Sequence, residues 1–160
     1  MQTLVESINK LKREKNAVIL AHCYQPVEID LVADYVGDSL YLSQVAAKTD
    51  AEIIVFAGVY FMAQTAKILS PDKKVILPQL EAGCRMADMI DYNQLLEFKA
   101  KNPGIPTVCY VNSTAEVKSE CDLCCTSSNA VKVVKSLNTD KILFLPDTYF
   151  CRFYTSPSPR

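Results

Sequence analysis

Short apolar runs rich in β-branched residues recur along this chain, and the stretches between them carry helical spacing. The runs are Ala17-Val18-Ile19-Leu20-Ala21, Ile53-Ile54-Val55-Phe56-Ala57, Val75-Ile76-Leu77, Thr107-Val108-Cys109-Tyr110-Val111-Asn112 and Ile142-Leu143-Phe144-Leu145. Continuous apolar runs of this length read as strands buried on both faces. Residues 2–14 hold Leu4, Ile8 and Leu11 at helical spacing, which predicts an amphipathic helix packing one face. Further helices are predicted over 40–48, 61–69, 92–101 and 129–137. Strands alternating with helices predict an α/β chain with a parallel sheet covered on both faces.

The punctuation between these elements fits the same scheme. The first run delivers His22-Cys23-Tyr24-Gln25 at its C-terminal end. Pro26 suits the first turn of a helix, Ile29, Val32, Ala33 and Val36 give that helix a stripe, and Gly37 closes it. Either Asp38 or Ser39 caps the next helix. Pro71 lies beyond the helix over 61–69, and Pro103-Gly104 with Pro106 mark the turn after residue 101.

A chain of 160 residues allows one ordinary domain or two small ones, and 49% hydrophobic residues is enough for a packed core. A net charge of −1 gives no reason to expect nucleic acid or an anionic membrane as partner. No apolar run reaches bilayer-spanning length, and residues 1–15 lack the apolar core of a signal peptide. The expectation is a soluble, cytoplasmic protein. Seven cysteines in a reducing compartment point to metal binding, redox chemistry or plain burial rather than a disulfide framework. The single histidine, His22, excludes a multi-histidine metal site within one chain.

Leu80-Glu81-Ala82-Gly83-Cys84-Arg85-Met86-Ala87-Asp88-Met89 is the stretch richest in chemical content. Its cysteine follows a glycine just past an apolar run, and Ala82, Gly83 and Ala87 are small enough to let backbone approach a bulky inorganic group. Cys84 is the candidate thiolate ligand; the alternative is a small buried hydrophobe at a strand-to-helix turn. Cys121, Cys124 and Cys125 form a C-x-x-C-C cluster that resembles half of a zinc site, or simply packs.

The second half echoes the first. Ala21-His22-Cys23-Tyr24-Gln25 aligns with Thr107-Val108-Cys109-Tyr110-Val111 at a shift of 86 at the tyrosine. Asp38-Ser39-Leu40 aligns with Thr126-Ser127-Ser128, and Ile54-Val55-Phe56 with Ile142-Leu143-Phe144, both at a shift of 88. Two copies of one βα unit are expected, a first over 1–84 and an incomplete second over 85–160. The same shift would put a counterpart of Cys84 near position 172, and the tail 148–160, with its two late prolines, shows no helical stripe.

Taken together, the motifs resemble the quinolinate synthase family, iron–sulfur enzymes of NAD biosynthesis. The matching stretches are Ala21-His22-Cys23-Tyr24-Gln25, Gly37-Asp38-Ser39-Leu40, Phe61-Met62-Ala63-Gln64-Thr65-Ala66, Glu81 to Met89, Tyr110-Val111-Asn112-Ser113 and Cys124-Cys125-Thr126-Ser127-Ser128-Asn129-Ala130. The resemblance implies repeated three-layer αβα units about a pseudo-threefold axis, each of three domains giving one cysteine to a [4Fe-4S] cluster. The first domain and most of the second would be present here. Three thiolates on four irons leave one iron open for Lewis-acid chemistry. The family condenses iminoaspartate with dihydroxyacetone phosphate, losing phosphate and water. Its iminoaspartate links it to an aspartate oxidase or dehydrogenase.

Carried over residue by residue, the resemblance makes Cys84 the first cluster ligand. It gives His22 contacts to substrate carboxylate and Tyr24 a part in acid–base steps. Tyr110 and Asn112 become substrate-binding residues, and Ser39 and Ser127 hold substrate anions. The plain alternatives are a structural histidine, a core tyrosine and ordinary N-capping serines. Tyr60, Gln64 and Gln79 stand where the family commonly has His, Glu and Asp. Two other outcomes compete with an active enzyme: a fragment that binds phosphate or a dicarboxylate weakly without a cluster, and a small metal-binding module built on Cys121, Cys124 and Cys125.

Overall fold

The computed structural model describes residues 2–146. The chain divides into two compact units, Met1–Gly83 and Cys84–Arg160. Each is built on a parallel sheet flanked by helices. The tail 148–160 lies outside the described residues.

The first unit runs α1 (Gln2–Glu14), β1 (Ala17–His22), α2 (Val27–Asp30), β2 (Tyr35–Gly37), α3 (Ser39–Lys48), β3 (Ile53–Ala57), α4 (Tyr60–Leu69) and β4 (Lys74–Ile76). Its strands lie in the order β2-β1-β3-β4, all parallel. Strand β1 is central and buried from Val18 to His22. Strand β3 alternates, with Ile54 and Phe56 fully buried and its other residues only partly so. Alternation puts Ile54 and Phe56 on one face, the side that receives Leu42, Ala46, Phe61, Met62 and Ala66 of α3 and α4. The buried Ser70 hydroxyl donates to the Ala46 carbonyl at 2.8 Å, tying the end of α4 to α3.

The opposite face is less filled than the sequence predicts. Ile19, Val55 and Ile76 line an apolar hollow of about 410 Å³ together with Ile8 and Leu11 of α1. Helix α1 forms where expected, but Leu4 and Leu11 stay exposed because the unit supplies too few side chains to close this side.

The second unit runs α5 (Tyr92–Lys101), β5 (Thr107–Tyr110), α6 (Ala115–Ser119), β6 (Leu123–Cys125), α7 (Ala130–Ser136) and β7 (Leu143–Leu145), with a short 3₁₀ turn at Ala87–Met89. The strand order is β6-β5-β7, again all parallel. Asp91 caps α5 through a reciprocal box with Gln94, which explains its sharp start. The sheet carries core on both faces. Leu95, Cys109, Val117 and Leu145 pack on one side, and Val108, Cys125, Ala130 and Phe144 on the other.

The helix predicted from Pro26 to Gly37 is corrected. Only Val27–Asp30 is helical, and Tyr35–Gly37 is strand β2, paired with Leu20, Ala21 and His22. The Asp34 N–H donates to the Ile19 carbonyl at 2.9 Å, so pairing along β1 draws the chain out of the helix. The smaller elements α6 and β6 carry no periodic signal in the sequence.

The repeat is present and has one register. Leu20, Ala21 and His22 pair with Tyr35, Val36 and Gly37, as Val108, Cys109 and Tyr110 pair with Leu123, Cys124 and Cys125. The β1–β3 and β5–β7 pairings repeat in the same way. Every equivalence is a shift of 88, so the shift of 86 at the tyrosines is a sequence coincidence. His22 corresponds to Tyr110, and Tyr24 to Asn112.

Candidate functional site

In the first unit the candidate residues gather at the C-terminal edge of the sheet, where open parallel sheets carry their sites. His22 is the last residue of β1 and is buried. Its Nδ1 accepts the backbone N–H of Tyr24 at 3.2 Å. A ring nitrogen that accepts is deprotonated, so the neutral imidazole carries its proton on Nε2. The Tyr24 ring stands edge-on to His22, with centroids 4.8 Å apart, and is itself 88% exposed. An imidazole donor and a free phenol thus share one strand end.

Neighbouring β2 completes the rim. Gly37 is the register partner of His22, and its carbonyl accepts the Cys23 N–H at 3.0 Å. A Cβ on Gly37 would meet the Tyr41 ring, so any larger residue at this turn into α3 would have to displace that ring. Asp38, not Ser39, caps α3: its carboxylate accepts the Tyr41 N–H at 2.8 Å. Ser39 is the first helical residue, half-buried beside the cap. Burial pushes the His22 pKa below its ordinary value, and the charge of Asp38 opposes that shift. Asp38 is thus both the cap of α3 and the electrostatic partner of His22.

In the second unit Tyr110 ends β5 as the register partner of Cys125, and the Val111 N–H donates to the Cys125 carbonyl at 2.8 Å. Tyr110 and Asn112 are half-buried; Ser127 is exposed. Asn129 precedes α7, and its Oδ1 accepts the Thr126 N–H at 2.7 Å, closing the turn that carries Ser127. Ser127 is therefore a turn residue two positions before the helix boundary, not its cap. The strand-end pattern of the first unit recurs: Tyr110, Asn112 and Ser127 occupy the positions of His22, Tyr24 and Ser39.

Cys84 opens the second unit on the loop after β4 and is half-buried. The loop before it is anchored, because the Tyr60 N–H at the start of α4 donates to the Ala82 carbonyl at 2.8 Å. Gln79 donates to the Glu81 carboxylate at 2.6 Å. After it, the Asp88 N–H donates to the Cys84 carbonyl at 3.0 Å. Cys84 thus lies on a loop held on both sides.

Among the described residues, no three His, Cys, Asp or Glu side chains assemble into a metal-binding group. They do not by themselves fit a four-iron cluster. The metal-module reading of Cys121, Cys124 and Cys125 is corrected on the same ground. Successive strand residues face opposite ways: Cys125 packs with Val108 and Phe144, whereas Cys121 packs on the side of Cys109. No helix among the described residues is long and apolar enough to cross a membrane.

A family model described as "NadA: Quinolinate synthetase A protein" matches residues 6–159. A quinolinate synthase of Alkaliphilus metalliredigens is 61% identical over 156 residues, covering 98% of this chain and 52% of that protein. One from Dehalococcoides mccartyi is 60% identical over 152 residues, covering 95% of this chain and 50% of its own. One from Geobacter metallireducens is 53% identical over 158 residues, covering 99% and 52%. The chain spans about half the length of the curated relatives it matches. With the match running through both units and all the candidate positions, this chain belongs to the quinolinate synthase family.

Proposed function

We propose that this chain supplies part of the active site of a quinolinate synthase, which condenses iminoaspartate with dihydroxyacetone phosphate to quinolinate, losing phosphate and water. The observation that carries this reading is the unbroken likeness across both units to relatives bearing that name. In this reading the two units are the first and part of the second of three αβα units. The protein works in the cytoplasm on iminoaspartate released by an aspartate oxidase or dehydrogenase.

His22 offers its Nε2–H to a substrate carboxylate without carrying a competing charge, since its Nδ1 is already engaged by the Tyr24 N–H. Tyr24, with its exposed phenol, moves a proton to or from the bound substrate. Tyr110 and Asn112 hold carbonyl and carboxylate oxygens through neutral donors. Ser39 and Ser127 bind substrate anions at equivalent turns, Ser39 beside the free N–H groups of the α3 N-terminus. Cys84 would provide one of three thiolates to a [4Fe-4S] cluster, whose remaining ligands would have to come from outside the described residues. When bound, that cluster would supply Lewis-acid chemistry.

A second reading is favoured by Cys84, which no other His, Cys, Asp or Glu among the described residues joins in a metal-binding group: the 160-residue chain binds phosphate or a dicarboxylate but neither holds a cluster nor turns over. Anaerobic reconstitution with iron and sulfide separates the two, followed by visible absorption and a quinolinate assay. Cluster absorption with turnover, both lost in Cys84→Ser, supports the enzyme reading for this chain. Phosphate or malate binding that shifts the His22 imidazole resonance, with no cluster, supports the second. Neither binding nor turnover would overturn both.

A further inference from the structure

We propose that Cys109 and Cys124 form a reversible disulfide, making the β5–β6 edge of the second unit a thiol-modification site that takes a peroxide as co-reactant. The two Sγ atoms lie 3.3 Å apart. Their residues are direct register partners on neighbouring parallel strands. Strand spacing puts the two Cα atoms about 4.8 Å apart, inside the range of about 4.4–6.8 Å that disulfides span. Closing the bond needs side-chain rotation rather than strand movement. This proposal does not depend on the cluster or on the reading of the active site.

The two thiols are unequal in the way such chemistry needs. Cys124 sits on edge strand β6 and is exposed, whereas Cys109 on central β5 is fully buried. The Cys109 S–H donating to Cys124, with the Lys118 ammonium nearby, brings the Cys124 pKa down to about 6, against the effect of its partial burial. Hydrogen bonding to Cys121 and Cys124, with burial, pushes the Cys109 thiol far up. Cys124 is the reactive thiolate and Cys109 the protonated partner held behind it.

The chemistry balances. The Cys124 thiolate attacks one peroxide oxygen, the O–O bond breaks, and the departing hydroxide takes a proton to become water. Cys124 is then a sulfenic acid. The Cys109 sulfur attacks the Cys124 sulfur, the S–O bond breaks, and the Cys109 proton leaves with the hydroxide as a second water. Two thiols are oxidised and one peroxide is reduced. A dithiol reverses the bond by exchange.

The fold itself does not require sulfur here. The equivalent positions in the first unit are Ala21 and Val36, paired in the same register. Cys125 faces the other side of the sheet; the Cys121 thiol donates to the Val117 carbonyl at 3.2 Å and also reaches Cys109, but Cys124 is the register partner of Cys109. Oxidation would also reach the candidate site, because Cys124 is next to Cys125, the partner of Tyr110, and leads into the Ser127 turn.

The test is peroxide treatment of the reduced full chain, alkylation of remaining thiols, and tryptic mass spectrometry. The expected product joins peptide 102–118, which holds Cys109, to peptide 119–132, with loss of two hydrogens and reversal by dithiothreitol. The link should persist in Cys121→Ser and vanish in Cys124→Ser. Cys109→Ala, which installs the residue of the first unit, should leave a sulfenic acid on Cys124 that dimedone traps. At pH 7 the reduced chain should lose Cys124 to iodoacetamide about two- to threefold faster than the exposed Cys23, the larger thiolate fraction being partly offset by the weaker nucleophilicity of a low-pKa thiolate. A link that survives Cys124→Ser, no link at all, or alkylation of Cys124 no faster than Cys23 would each overturn the proposal. The alkylation comparison uses the unmodified chain, so it stands even where a variant fails to fold.

Discussion

The carboxylate of Asp34 accepts the backbone N–H of Ile19 at 2.8 Å, and the Asp34 N–H returns a hydrogen bond to the Ile19 carbonyl at 2.9 Å. One residue thus continues the ladder with both its backbone and its side chain, just before β2 joins β1. Asp122 does the same for Thr107, at 2.7 and 2.9 Å, just before β6 joins β5. A lysine supports each strand entry. Lys12 donates to the Val32 carbonyl and pairs with Asp34, both at 2.7 Å, and Lys99 donates to the Glu120 carbonyl at 2.6 Å.

Removing the aspartate should unpin the strand whose end carries the candidate site. Asp34→Ala leaves the Ile19 N–H without its acceptor, and Asp122→Ala does so at Thr107. Each should cost about 1–3 kcal/mol, the range for orphaning a buried donor that faced a charged acceptor. The Lys12 ion pair adds little, because Asp34 is partly exposed. Urea titration of each variant is the measurement. A loss below about 0.5 kcal/mol at both positions would show that water replaces the carboxylate freely.

The same aspartates explain what was legible in the sequence. The central strands β1, β3 and β5 were visible because each is a dense apolar run. The edge strands β2 and β6 were not, because they are three residues long and take their conformation from pairing rather than local pattern. Ile29, Val32 and Val36 mimic a helical stripe, yet Asp34 between them is committed to Ile19. Likewise the C-x-x-C-C spacing fits plain packing as well as half of a zinc site, and strand alternation, which sends Cys124 and Cys125 to opposite faces, favours packing. The candidate site residues are named by family likeness alone. Their equivalence at a shift of 88, and the action of Asp38 on His22, needed the register.

Phe56 and Phe144 hold equivalent positions in the two sheets, one fully buried and the other nearly so. Truncation to alanine should cost about 3–5 kcal/mol at either site, through lost transfer energy and the cavity left behind. Phe56 packs among α3 and α4 residues, so hydrogen exchange in Phe56→Ala should quicken first in β1, β3 and these helices. In Phe144→Ala it should quicken first in β5, β6 and α7. Uniform acceleration along the chain in both variants would contradict the division into two units.

His22 is the only histidine, so its imidazole protons give an unambiguous NMR titration. Its pKa should lie below 6.5, because burial disfavours the imidazolium more than Asp38 favours it. The unfolded chain then binds the proton more tightly than the folded one. The stabilising contribution is full above pH 6.5, falls as the pH drops toward the folded pKa, and levels off below it. Asp38→Asn removes the opposing charge and should lower the pKa further, widening that acid-sensitive window. A titration at or above 6.5 in the parent chain, or an upward shift in Asp38→Asn, would contradict this picture.

Cys124 should titrate near pH 6, and its two neighbours should contribute in a fixed order. The hydrogen bond from Cys109 is the larger influence on the thiolate, and the charge of Lys118 the smaller. Lys118 is itself held below its ordinary pKa by burial, which the nearby Cys124 and Cys109 sulfurs oppose. Cys109→Ala should therefore raise the pH midpoint of Cys124 alkylation more than Lys118→Met does. Both midpoints should move up from about 6, toward the free-cysteine value of about 8.5. Cys125, pushed up to about 11 by burial and by the charge of Cys124, should stay unreactive over the same range. The rate of iodoacetamide labelling against pH, read peptide by peptide, supplies both midpoints. A larger shift for Lys118→Met would mean that charge, not the thiol pair, sets the reactivity of this strand edge.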